Sequence, residues 1–139
     1  ISLSTPNSIR ELTISSSTGS INVKIESGEN LNQINIDSSL GSINLELKIL
    51  KLKSDCNVDV ESSLGSVDAE IFVGADVGCS LLAESSLGSV DVDLEGFSVS
   101  SKSWNKCFAK TLNYENSIAK LDLSFKASLG SINVDATVL

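Results

Sequence analysis

The sequence predicts an all-β, single-domain, mostly parallel β-solenoid over residues 1–139, with about 22–24 residues per rung, five clear rungs and one degenerate rung. Three observations carry that expectation. One phrase recurs five times: Ser-Thr-Gly-Ser-Ile-Asn-Val around Gly19, Ser-Leu-Gly-Ser-Ile-Asn-Leu around Gly41, Ser-Leu-Gly-Ser-Val-Asp around Gly65 and Gly88, and Ser-Leu-Gly-Ser-Ile-Asn-Val around Gly130. The glycine spacings are 22, 24, 23 and 42 residues, the last close to two periods. A fixed period in the low twenties marks stacked repeats, each covering the apolar face of the next. Finally, apolar residues alternate with polar ones on both sides of every phrase, the pattern of strands with one buried face.

In the second copy, Ile34, Ile36, Ser38 and Leu40 share one parity, and after Gly41 the phase slips so that Ile43, Leu45 and Leu47 point inward. A phase slip at glycine predicts a corner, because glycine takes φ > 0 without strain. The later copies follow suit: Cys56, Val58 and Val60 before Gly65, Cys79, Leu81 and Ala83 before Gly88, Leu121, Leu123 and Phe125 before Gly130. Stacked in chain order, Leu40, Leu64, Leu87 and Leu129 are expected to form a covered ladder, with Ser38, Ser62 and Ser85 as a small-residue ladder beside it. A buried charge at Leu64 would then unfold the domain.

Residues 97–120 break the pattern. They hold the sole Trp (Trp104), the sole Tyr (Tyr114), Phe97 and Phe108, and four lysines against one acid. The segment is expected to be an irregular rung or loop insertion packing its aromatics on the flank. An aromatic and basic patch is also how a loop contacts a partner, and Trp104, Lys106, Lys110 and Tyr114 are the residues expected to do so.

Composition narrows the chemistry. With 41% apolar residues, 4% aromatics and no Met, the core must be aliphatic. The formal charge of −8 argues against nucleic acid and against docking on anionic lipid. No apolar run approaches the ~20 residues of a membrane helix, so no membrane insertion by this fragment is expected. The chain opens on Ile1 rather than Met, which reads as a fragment or processed product. With no histidine, the usual general base and metal ligand are missing. Three cysteines, Cys56, Cys79 and Cys107, make no disulfide framework. Cys56 and Cys79 are expected side by side in adjacent rungs, as reduced core thiols.

The outward positions after each glycine read Asn22, Asn44, Asp68, Asp91, Asn133 and Lys24, Glu46, Glu70, Asp93, Asp135. Stacked acids at rung spacing attract cations, and Asp68, Glu70, Asp91 and Asp93 are the candidate Ca²⁺ ligands. A solvated acidic face is the plainer reading. No catalytic residue and no cofactor are expected.

The repeated Ser-x-Gly-Ser-Ile/Val-Asn/Asp unit with its alternating aliphatics resembles the bacterial and archaeal "putative adhesin" β-strand-repeat family of unknown function. It is also similar to the toast-rack domains of some envelope-stress proteins. The resemblance covers about Leu12 to Leu139, with residues 97–120 departing from it. It implies a β-solenoid of the kind carried by envelope-attached or secreted proteins, and brings no functional residues. The expectation is a non-enzymatic, adhesin-like module of a prokaryotic cell envelope or the extracellular space, presenting a rigid surface to a protein or glycan. The alternatives are a self-assembling intracellular β-helical scaffold, which keeps the cytoplasm open, and a carbohydrate-active β-helix enzyme. Self-association through an end is expected because the phrase Ile132–Val138 closes the chain with one fully apolar face.

Overall fold

A computed structural model describes residues 2–5 (as backbone), 10–26 and 30–139. Ten of its described strands form five pairs, each pair flanking one glycine phrase. β1 is Ser2–Thr5. β2 (Glu11–Ser16) and β3 (Ile21–Glu26) flank Gly19, β4 (Gln33–Leu40) and β5 (Ile43–Ile49) flank Gly41, and β6 (Cys56–Leu64) and β7 (Val67–Val73) flank Gly65. β8 (Gly78–Ser85) and β9 (Val90–Glu95) flank Gly88. β10 (Phe97–Ser103) and β11 (Lys106–Thr111) follow, then a 3-10 turn at Tyr114–Asn116. β12 (Lys120–Leu129) and β13 (Ile132–Val138) flank Gly130.

The first strand of each pair joins a seven-stranded sheet and the second a six-stranded sheet. The six-stranded sheet, β1-β3-β5-β7-β13-β9, is parallel throughout. The seven-stranded sheet, β2-β4-β6-β12-β8-β11-β10, is parallel as far as β8 and antiparallel beyond it. The inward side chains of both sheets merge into one aliphatic core, with Phe125 its largest fully buried side chain. An all-β fold with two mostly parallel sheets therefore stands as expected.

The stacking order does not follow the chain. β12 lies between β6 and β8, and β13 between β7 and β9, so the last phrase is inserted between the third and the fourth. The glycines still form a single file, in the order Gly19, Gly41, Gly65, Gly130, Gly88. At Gly41, Gly65, Gly130 and Gly88 an added Cβ would fall on the carbonyl oxygen of the neighbouring glycine in the file. β11 occupies the far edge of β8, so β12 meets β8 on the side that faces β6; there Phe125 sits in register between Val60 and Ala83, and Ala127 between Ser62 and Ser85. Bulk thus falls beside small neighbours, as close packing requires.

Four expectations are corrected here. Cys56 and Cys79 are not neighbours, because Leu121 stands between them in register. Residues 97–120 are not a degenerate rung: β10 and β11 form an antiparallel hairpin on β8, joined to β12 by the 3-10 turn. Ile132–Val138 is no end strand, since it is covered on both sides by β7 and β9. That removes its apolar face as a ground for self-association through an end.

Finally, the leucines before the glycines are not interior. Leu64 is 43% exposed, and with Leu40, Leu129 and Leu87 it forms a ridge outside the corner. The chain begins to bend after Ser38 and its equivalents, so strand alternation stops two residues before the glycine. The buried serines serve the corner itself: Ser62 Oγ donates to the Gly65 carbonyl at 3.2 Å, and Ser85 Oγ to the Gly130 carbonyl at 2.8 Å. Half-burial of Leu64 corresponds to about 1 kcal/mol. Leu64→Asp should therefore cost about that much and leave the fold intact, as a urea midpoint would show; unfolding would return this leucine to the core.

Candidate functional site

On the outer face of the six-stranded sheet, side chains stand in columns about 4.8 Å apart from strand to strand. The first column runs Asn22, Asn44, Asp68, Asn133, Asp91. Its amides bind along it: Asn44 Nδ2 donates to Asn22 Oδ1 at 2.8 Å, and Asn133 Nδ2 to Asp68 Oδ1 at 2.9 Å. The second column runs Lys24, Glu46, Glu70, Asp135, Asp93, four acids in succession behind one lysine. Between the columns lies an open groove of about 500 Å³.

The proposed Ca²⁺ ligands are not brought together. Asp68 and Glu70 are on β7, Asp91 and Asp93 on β9, with β13 between them. The two pairs stand two strand spacings apart, about 9.6 Å between backbones, with Asn133 and Asp135 standing between them. Asn133 keeps Asp68 from Asp91, although Asp135 continues the neighbouring acidic column. Among the described residues no three acidic or cysteine side chains form a metal-binding group.

The four expected partner-binding residues separate into two places. Trp104 lies in the turn between β10 and β11, 67% exposed. Its carbonyl accepts the Val90 N–H at 2.9 Å, which places it at the glycine edge, past Leu87 at the end of the leucine ridge. Lys106 is close by, exposed and in register with Glu84. Lys110, four residues along β11, pairs with Ser80 about 13 Å further on.

There the polar groups satisfy one another. The Lys110 ammonium lies 4.5 Å from the Tyr114 ring centre and 5.8 Å from that of Phe108, and Lys120 approaches Tyr114 from 5.4 Å. Lys110 also reaches Glu115 at 3.4 Å. Tyr114 Oη donates to Asp122 Oδ1 at 2.8 Å, and Ser80 Oγ donates to the same oxygen at 2.7 Å. This cluster fastens the 3-10 turn to β8 and β12, so Lys110 and Tyr114 act as structural anchors. Sequence reading missed Asp122, whose partners lie 8 and 42 residues away with no periodic signal to announce them.

Burial, and then the Asp122 carboxylate, push the Tyr114 phenol up from 10.0 to about 12. The fold favours the neutral phenol. Its contribution to stability is therefore complete below pH 10 and is lost as pH rises through about 12. Ultraviolet titration of the native chain should find its one tyrosine ionising near 12, and Asp122→Asn should move that value down toward 10. A native value of 10 would mean that the Tyr114–Asp122 bond is not made in solution.

The three cysteines are free and fully buried. Burial, aided by the Asp122 charge, raises the Cys56 thiol to about 12 and Cys79 further still. Burial also raises Cys107, against the pull of Lys102. These are core packing groups, held as unreactive thiols.

The exposed apolar ridge was missed as a surface feature. Leu40, Leu64, Leu129 and Leu87 follow one another along the glycine edge, ending at Trp104, and Leu87 is 70% exposed. The signal was present as Ser-Leu-Gly-Ser in four copies. It was hidden by carrying strand alternation into the corner. A second groove of about 290 Å³ runs beside the ridge, lined by Asp37, Glu61, Lys126, Glu84 and a row of serines.

No family model matches the chain. No curated protein matches it. No helix among the described residues is long and apolar enough to cross a membrane. Among solved structures, the chain is similar to that of "a putative cell adhesion protein from Clostridium sporogenes ATCC 15579". The TM-score is 0.71, with 24% sequence identity over 91% of this chain. This chain spans 55% of that protein, about half its length, and the likeness is one of fold.

Proposed function

We propose that this chain is a β-solenoid display module: a non-enzymatic, adhesin-like part of a prokaryotic cell envelope, presenting fixed columns of side chains to a glycan or protein partner. The observation that carries the reading is the leucine ridge with Trp104 at its end. It is an exposed apolar line along a rigid edge, beside a row of serine hydroxyls and the groove of Asp37, Glu61 and Glu84. An indole face with neighbouring hydroxyls and carboxylates suits a sugar, stacking on its C–H face and bonding its hydroxyls. The similar solved structure, that of "a putative cell adhesion protein", supports the same reading and its envelope location. The edges speak against the scaffold alternative. β9 carries Asp91, Asp93 and Glu95 outward, while β10 carries Lys102 and a bulge between Val99 and Ser101. Both devices discourage end-to-end pairing.

The test is binding of the immobilised chain to a panel of envelope polysaccharides. The paired change Trp104→Ala and Leu87→Ala should weaken binding at least tenfold with an unchanged melting temperature. Absence of binding across the panel and to intact cells, or binding indifferent to these two residues, would sink the proposal.

A further inference from the structure

We infer that the slot between the β6–β7 and β8–β9 pairs is a binding site for a strand pair supplied in trans, and that its partner is residues 120–139 of a second copy of this chain. The inference does not depend on the display reading, and absence of glycan binding leaves it standing.

The slot is where the stack of glycine-phrase pairs departs from chain order. β12–β13 enters between two pairs that precede it in the sequence. Among the described residues no strand ladder joins β6 to β8 or β7 to β9 directly; every such pairing passes through β12 or β13. Among the described residues the inserted pair is therefore the sheet connection between β1–β7 and β8–β11. It is also buried on its inner face: Leu121, Phe125, Ile132 and Ala136 have no exposed surface.

The slot is specific for this pair. Phe125 fits between Val60 and Ala83, Ala127 between Ser62 and Ser85, and Ala136 between Ile71 and Leu94. The Gly130 carbonyl accepts from Ser85 Oγ, and Gly130 continues the glycine file between Gly65 and Gly88. The β4–β5 pair would bring Ile36 and Leu47 to the places of Phe125 and Ala136, a poorer match of bulk on both faces.

The inserted pair is joined to β11 through residues 112–119. Leu112 is 82% exposed there and Ile118 fully so. The segment is bonded to its neighbours through Asn113 Nδ2 to the Ala75 carbonyl at 2.7 Å, and through Tyr114 and Glu115, which meet Asp122 and Lys110 as described above. If this segment swings out, releasing the Tyr114 and Glu115 contacts to Asp122 and Lys110, β12–β13 of one copy enters the slot of another with every ladder and inward contact of the inserted pair unchanged. Exchange of an identical element between copies is a low-cost route to a closed dimer.

Shortening the hinge tests this. β11 and β12 are separated by β8, so the connection must cover at least two strand spacings, about 9.6 Å. With residues 112–118 deleted from the otherwise full chain, Thr111 to Lys120 is two Cα steps, at most about 7.6 Å. With Thr111 and Lys120 both kept in their ladders, the slot cannot then be filled in cis. The variant should form a dimer of twice the chain mass by light scattering, with a β-sheet spectrum and a cooperative melt. Refolded with excess synthetic peptide of residues 120–139, it should instead give a monomer holding one peptide, and a peptide carrying Phe125→Asp should not substitute. A folded monomer without peptide would overturn the inference. So would failure to fold both alone and with the peptide.

Discussion

Gly65→Ala should unfold the domain under conditions where Gly19→Ala leaves it folded. The glycine file allows two effects to be separated. Gly19 has φ +93° and open space where a Cβ would go, so alanine there meets only the backbone penalty of left-handed conformation. That penalty is about 1–2 kcal/mol. Gly88 lies outside the left-handed region, but its Cβ would collide with the Gly130 carbonyl and crowd Ser85 Oγ. Gly65 suffers both, with φ +141° and a Cβ directed onto the Gly41 carbonyl.

The neighbour at Gly65 is backbone held on both sides by strand pairing, so it yields only if the strand pairs part at the corner. Backbone strain of about 1–3 kcal/mol, together with the lost ladder bonds, takes a large share of the 5–15 kcal/mol that stabilises a typical domain. The melting temperature should fall by more than about 10 °C for Gly65→Ala, and by only a few degrees for Gly19→Ala. Equal losses at the two sites would mean that the glycine file is not close-packed in solution.

Much of this was legible because the repeat phrase carries its own geometry. Glycine followed by Ser-Ile/Val-Asn/Asp set the corner, the phase slip and the inward side chains of every second strand. The order of stacking was not legible. All five phrases offer nearly the same corner, and Leu64 pairs as well with Leu129 as a Leu64–Leu87 pairing would have done. The order goes with the hairpin, which periodicity did not announce: β11 pairs with the far edge of β8, so β12 meets β8 on the side that faces β6.

The 42-residue interval from Gly88 to Gly130 looked like two periods. It holds a hairpin that turns back, and Ser-rich β10 with Lys102 suits an exposed edge better than an inner rung. The candidate patch divided for a related reason. Trp104 and Tyr114 are near in sequence, but β11 separates them along its length, placing one at the glycine edge and the other at the opposite end. The acidic pairs on β7 and β9 likewise looked adjacent only while the stack was read in chain order.

Phe125→Ala is the second large effect, and it probes the inserted pair without touching the corner. Phe125 has no exposed surface, and its strand is flanked by β6 and β8. Neighbours of this kind cannot collapse inward without breaking two parallel ladders, so most of the cavity should persist. Truncations of buried Phe cost about 3–5 kcal/mol, and a site that does not relax belongs at the upper end. Phe108 is the internal control: it is half-buried on the outer face of the same sheet, and its truncation should cost about 1–2 kcal/mol.

The form of the transition is as informative as its midpoint. Among the described residues the sheet pairing between β1–β7 and β8–β11 runs through β12–β13, so loosening it should uncouple the two sides before either unfolds. Urea unfolding followed by Trp104 fluorescence, which reports the hairpin side, should then precede the loss of β-sheet signal, which reports the whole stack. In the unmodified chain the two curves should coincide. Coincident curves in the Phe125→Ala variant, with a loss under about 1.5 kcal/mol, would mean that β8–β11 is held to the rest by something other than the inserted pair.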